Sequence, residues 1–95
     1  MTPVLLVARL TFKDRDRYKL YRDAFPAVFA DSGGAVLAAD EAPVTLSGDG
    51  ADKIVVMRFP SAEQARAFLD SPDYQRIAQD RDAGAVVHSW MAKAF

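Results

Sequence analysis

Asp52–Arg81 reads DKIVVMRFPSAEQARAFLDSPDYQRIAQDR, and three successive patterns in it point to one architecture for the whole chain. Lys53 to Phe59 is rich in β-branched and aromatic residues and stops at Pro60, which cannot donate to a sheet ladder, so it reads as a strand. Ser61 and Gln64 then have the spacing of a capping box, in which the hydroxyl accepts from a free helical N–H and the amide reaches back to the cap. Ala65, Phe68 and Leu69 give the helix that follows one apolar stripe. At Ser71-Pro72-Asp73 the helix restarts. Serine suits the cap, proline the first helical position and an acidic residue the positive end of the dipole, so Tyr74, Ile77 and Ala78 begin a second segment at an angle.

Working outward, Val4 to Phe12 alternates with both registers mostly apolar, which predicts a strand covered on both faces. From Asp14 the period becomes helical, with Tyr18, Tyr21, Phe25, Val28 and Phe29 at spacings of three and four and an N-cap at Asp14 or Asp16. Pro26 inside this run predicts a kink rather than two helices, and Gly33-Gly34 is the expected end. Ala35 to Asp40 and Val44 to Leu46 are weaker strand candidates, separated by Glu41-Ala42-Pro43. Ser47-Gly48-Asp49-Gly50 turns the chain into Lys53 to Phe59. After the two-part helix, Ala85 to Ala92 alternates as a final strand.

The order βαββαβ over a single domain, residues 1–95, is that of an α+β ferredoxin-like sandwich: a four-stranded antiparallel sheet with two helices on one face. If the helices cover Val4, Leu6, Leu10, Val55, Met57 and Phe59, then Leu5, Val7, Ile54, Val56, Val86 and Trp90 face the other way. Covering several such side chains is worth on the order of 10 kcal/mol before the entropy of association. A homodimer closing sheet on sheet, as a dimeric α+β barrel, is the simplest cover.

The bulk composition narrows the functional classes. Half of the 95 residues are apolar, enough for a core without staples, and with no cysteine there is neither a disulfide framework nor a thiolate metal site. A formal net charge of −1 with interleaved signs argues against nucleic acid or an anionic membrane as partner. No apolar run reaches the length of a membrane span, and Met1-Thr2-Pro3-Val4 lacks the basic-then-apolar pattern of a secretory signal, so a cytoplasmic protein is expected.

DRYKLYRDAFPAV, Gly33-Gly34, the Leu46-Ser47-Gly48 turn and RFPSAEQARAFLDSPDYQ together resemble the family DUF1330, small proteins of the dimeric α+β barrel superfamily. The match spans nearly the whole chain. It is most specific at Phe59-Pro60-Ser61, Ala65 and Ser71-Pro72-Asp73-Tyr74-Gln75, with support from Tyr18, Tyr21 and Pro26. Where such proteins often carry an aromatic pair, this chain has Phe68-Leu69. The resemblance implies a ferredoxin-like subunit, a sheet-to-sheet homodimer and a small-molecule pocket of unassigned use, and it transfers no catalytic residues.

Two groups of residues carry candidate chemistry. Arg9, Arg58, His88 and Trp90 fall on the face assigned to the dimer. There His88 could act as general base on a phenolic or enolisable substrate, Arg9 could hold the resulting anion and Trp90 could stack on a ring, without a cofactor. The plainer alternative pairs both arginines with carboxylates at the rim and makes His88 a hydrogen-bonded interface residue. Tyr18, Tyr21 and Tyr74 could line a pocket between helices and sheet as phenolic donors, or serve as core residues whose hydroxyls reach water. The alternating charges from Lys13 to Asp23 read as a solvated helix face. Ser47-Gly48-Asp49-Gly50 lacks the pattern of a phosphate loop, and a lone histidine gives no metal-ligand spacing. The competing functions are therefore a cofactor-independent enzyme and a non-enzymatic ligand-binding or protein-assembly module.

Overall fold

The structure, a computed structural model, describes residues 2–95. The elements run β1 (Val4–Phe12), α1 (Arg15–Phe29), β2 (Ala35–Asp40), β3 (Lys53–Phe59), α2 (Ala62–Asp70), α3 (Pro72–Gly84) and β4 (Ala85–Lys93). The strands form one sheet in the order β2-β3-β1-β4, with every neighbouring pair antiparallel. This is the ferredoxin-like sandwich expected from the element order, its second helical crossover broken into α2 and α3.

The breaks fall where the capping chemistry puts them. Ser61 Oγ accepts from Gln64 N at 3.2 Å and opens α2. Only that half of the box forms: the Gln64 amide lies against Gly33 instead of turning back to Ser61. Ser71 closes α2 by donating its N–H and its hydroxyl to Phe68 O, and opens α3 by accepting from Tyr74 N, with Pro72 first in the new helix. One residue thus serves two helix ends, because an extended backbone at Ser71 satisfies orphan groups on both sides. Asp14 caps α1 by accepting from Asp16 N and Arg17 N.

Two expectations need correction. The first helix continues through Pro26 but ends at Phe29, before the glycines; Ser32 N then donates to Phe29 O in a turn, and Gly33 takes the left-handed conformation at φ 83° beyond it. Val44 to Leu46 is not a strand. The β2–β3 ladder finishes at Asp40 paired with Ile54, and Asp52 N is bound to Leu10 O, so the segment between them is not held in the sheet. Asp40 Oδ1 accepts from Ala42 N and turns the chain away, Pro43 has no N–H to offer, and Val44 and Leu46 stand 84% and 93% exposed.

All three helices pack on one face of the sheet. Val4, Leu6, Leu10, Met57 and Phe59 point into this layer and meet Tyr18, Tyr21, Ala65, Phe68, Tyr74 and Ile77. Aromatic edges fill the centre: Phe29 meets Phe59 and Phe68 edge-on at 5.9 and 5.4 Å between ring centroids. α1 and α3 come close at Gly84, whose carbonyl accepts from Lys13 N and Asp14 N. A side-chain carbon there would collide with the backbone of Asp14 and Tyr18. Among the described residues no helix is long and apolar enough to cross a membrane.

Candidate functional site

The sheet separates the tyrosines from Arg9, Arg58 and His88, because strand residues alternate between its faces, while Trp90 and its ladder partner Val7 also border the helix-side cavity. On the helix side, a cavity of about 230 Å³ lies between the β1–β4 half of the sheet and the helices. Leu6, Ala8, Leu10, Met57, Val87 and Met91 contribute its apolar floor, and Tyr18, Tyr21, Leu69 and Tyr74 its walls. Tyr18 and Tyr21 come from one face of α1 and Tyr74 from the first turn of α3, so the three tyrosines expected to line a pocket do meet there, with Tyr21 edge-on to Tyr74 at 6.1 Å.

The polar corner of this cavity is a short relay. The Tyr21 and Tyr74 hydroxyls lie 3.0 Å apart, and Arg81 Nη1 donates to Tyr74 Oη at 2.9 Å while its Nε donates to Asp82 at 3.0 Å. Burial, reinforced by the facing Tyr74 hydroxyl, pushes the Tyr21 phenol far above its ordinary value, so it stays protonated. Burial works against the Arg81 charge, but Tyr74 and Asp82 outweigh it and hold the guanidinium more firmly protonated than usual. Two hydroxyls carry two hydrogens, and the bond between them uses one. Because Arg81 can only donate, the other phenolic hydrogen remains free for a ligand.

Two wall residues were not among the sequence candidates: Arg66 on α2 and Arg81 on α3. The signal was present but weak, since Arg81 follows Tyr74 by seven positions, two helical turns on the same face, and its charge reads equally well as a solvated last turn.

On the opposite face, Arg9 and His88 stand directly across the β1–β4 ladder, as the antiparallel geometry suggested. Trp90 pairs with Val7 one row along, 56% exposed. Arg58 pairs with Leu5, four residues from Arg9 along β1, roughly 13 Å at the usual strand rise. Arg58 therefore does not join the Arg9–His88 pair. Arg9 Nε is buried without a hydrogen-bond partner. Val7, Ile54 and Val56 are half-buried near it, as is Leu5 farther along β1, and Val86 is 46% exposed. Among the described residues no group of three or more histidines and carboxylates is placed to hold a metal.

Several solved structures share this fold. The RPA0582 protein of unknown function from Rhodopseudomonas palustris superposes with a TM-score of 0.84 at 17% identity, over 99% of this chain and 83% of its own. SnoaB, a cofactor-independent oxygenase from Streptomyces nogalater, gives 0.71 at 16% identity, over 100% of this chain and 95% of its own. A dimeric ferredoxin-like protein of unknown function from Thermobifida fusca gives 0.71 at 17%, over 98% and 92%. Comparison with curated proteins finds no match. The sequence pattern of DUF1330, a domain of unknown function, matches residues 3–95, and with the ferredoxin-like sheet and its helical layer in place the chain belongs to that family.

Proposed function

We propose that this protein is a homodimer in which each subunit holds a small organic molecule between helices and sheet, and that it acts on a phenolic or enolisable substrate without a cofactor. The observation that carries this reading is the cavity whose floor is apolar and whose one polar corner is the Tyr21–Tyr74–Arg81 relay. A substrate ring would rest on the floor, its oxygen taking the free phenolic hydrogen. Arg81, reached through Tyr74, would stabilise the substrate bound as its phenolate or enolate, the proton having passed to water. That anion is more electron-rich, and so more reactive toward an electrophilic co-substrate, than the neutral molecule. The fold shared with SnoaB supports the reading by analogy.

The dimer rests on the apolar outer face, with Trp90 and Val86 uncovered in one chain, and on the dimeric proteins of the same fold. Native mass spectrometry of gently purified protein tests both parts together. Two subunits carrying an aromatic or enolic small molecule are expected, and a clean monomer with nothing bound overturns both.

One observation favours a base at the other site. The unpartnered Nε of Arg9 beside His88 marks a place on the sheet face where a second subunit could form a cleft, with Trp90 nearby to stack on a substrate. In that reading His88 is the base, and His88→Ala abolishes turnover of an identified substrate; unchanged turnover removes it. Another observation favours binding without turnover: no histidine or carboxylate lines the helix-side cavity. A ligand-binding or assembly module would bind the same molecule and return it unaltered.

A further inference from the structure

We infer that the molecule held in the helix-side cavity is an organic acid, with its carboxylate at Arg66 and Arg81 and its apolar body on the sheet. This rests on the reading of that cavity as the ligand site and adds what the ligand must carry.

The chain has 13 acidic and 12 basic residues, yet the cavity lining includes two arginines and no carboxylate. Elsewhere most helix cations take up nearby acids: Arg17 pairs with Asp80, Lys19 with Asp23, Arg22 with Glu41 and Arg76 with Asp73, while Arg15 lies over the Phe12 ring. Arg66 has Glu63 three residues before it and Asp70 four residues after it, both at helical contact spacing. It bonds to neither, and its exposed side chain forms part of the cavity wall instead. Arg81 spends Nε on Asp82 and Nη1 on Tyr74, which leaves Nη2 free.

Arg66 and Arg81 both line the cavity with open donors, the relay adds one free phenolic hydrogen, and no anionic acceptor is in the lining. A planar carboxylate complements that set, since its two oxygens accept from a guanidinium fork in parallel. Beyond the arginines and tyrosines, the lining carries polar side-chain atoms only at Ser89 and Trp90, so the remainder of the ligand is largely apolar. At about 230 Å³ the space is below the roughly 300–1,000 Å³ of common ligand pockets, which limits that body to one or two rings.

The test compares naphthalene-2-carboxylate with naphthalene-2-carboxamide, equal in shape and different in charge, by calorimetry, with amide NMR shifts to locate each probe. The carboxylate is expected to bind the wild-type cavity at least about tenfold more tightly than the amide. In Arg66→Met, which alters only an exposed side chain and so preserves the fold, the difference shrinks to about threefold or less while amide affinity holds, and Arg66→Lys restores part of it. Arg76→Met, which removes a cation outside the cavity, leaves the preference intact. Equal affinity of the two probes at the cavity overturns the acid inference and keeps the cavity as a ligand site. A preference lost as readily in Arg76→Met overturns it as non-specific charge attraction. Shifts confined to other surfaces, or none at millimolar probe, overturn the inference together with the cavity reading.

Discussion

The hydroxyls of Tyr21 and Tyr74, 53 positions apart in the chain, lie 3.0 Å from each other where α1 crosses α3. Each ring belongs to the core and each oxygen is the other's partner. The pair therefore ties the packing of two helices to the polar corner of the cavity. Removing the Tyr74 hydroxyl takes a partner from both Tyr21 and Arg81, whereas removing that of Tyr21 leaves Tyr74 bonded to Arg81. Tyr74→Phe is expected to lower stability by about 1–3 kcal/mol, the cost of leaving buried donors unpaired. Tyr21→Phe costs less, because Arg81 keeps its acceptor. Urea unfolding of the two variants checks the order.

The same burial predicts how Tyr21 responds to alkali. Its proton is held more tightly in the folded than in the unfolded chain, so its contribution is complete below the ordinary phenol value of 10.0 and stability falls as pH rises beyond it. The difference in ultraviolet absorbance between wild type and Tyr21→Phe should show no phenolate from Tyr21 until the protein unfolds. A reversible step in the folded protein near the ordinary value contradicts this.

Glu41 behaves in the opposite sense. Burial alone would raise its carboxyl, but hydrogen bonds from Arg22 at 3.2 Å and Lys53 at 3.3 Å outweigh it and hold the carboxyl below its ordinary value. The stability it contributes is present above the ordinary value of 4.5 and is lost as pH falls through the lower, folded value. Because Glu41 is partly exposed, solvent screening limits this to under about 1 kcal/mol. Denaturant midpoints of wild type and Glu41→Gln should differ near neutrality and converge in acid.

Gly84→Ala tests the helix packing directly. The added carbon would come within 2.8 Å of Asp14 O and closer still to the backbone of Tyr18, and backbone cannot swing aside as a side chain can. A loss of about 2–3 kcal/mol is expected, read as a lowered melting temperature. Helix propensity alone would favour alanine over glycine, so a stabilised variant would refute the close approach.

Val56→Glu addresses the outer sheet face. Val56 sits midway along β3, opposite Val7, in the apolar row that ends at Trp90. A carboxylate there would be costly to bury between two sheets and cheap to leave in water. Light scattering should find wild-type dimers and Val56→Glu monomers with unchanged circular dichroism. Wild-type monomers at micromolar concentration would remove the proposed assembly.

The elements that the sequence made legible are those whose cause is local. Ser61, Ser71-Pro72 and Asp14 cap helices through bonds to residues two or three positions away, and period two against period three to four separates Val4–Phe12 from Tyr18–Phe29 before any fold is built. Strand alternation also sorted the faces correctly, down to Arg9 opposite His88, since one antiparallel register follows once the order of elements is known. Val44–Leu46 misled because its β-branched and apolar residues suit a strand, whereas the Asp40 turn and Pro43 carry the segment away from the sheet.

Local bonding and periodicity dictated where each element begins, what type it is and which residues look inward, because those depend on neighbours along the chain. The cavity, its Arg66 and Arg81, and the separation of the tyrosines from His88 by the thickness of the sheet depended on how α2 and α3 settle over β1 and β4. That arrangement comes from side-chain volumes and close approaches such as Gly84 against Tyr18, between residues distant in the chain, and no spacing within the sequence encodes it.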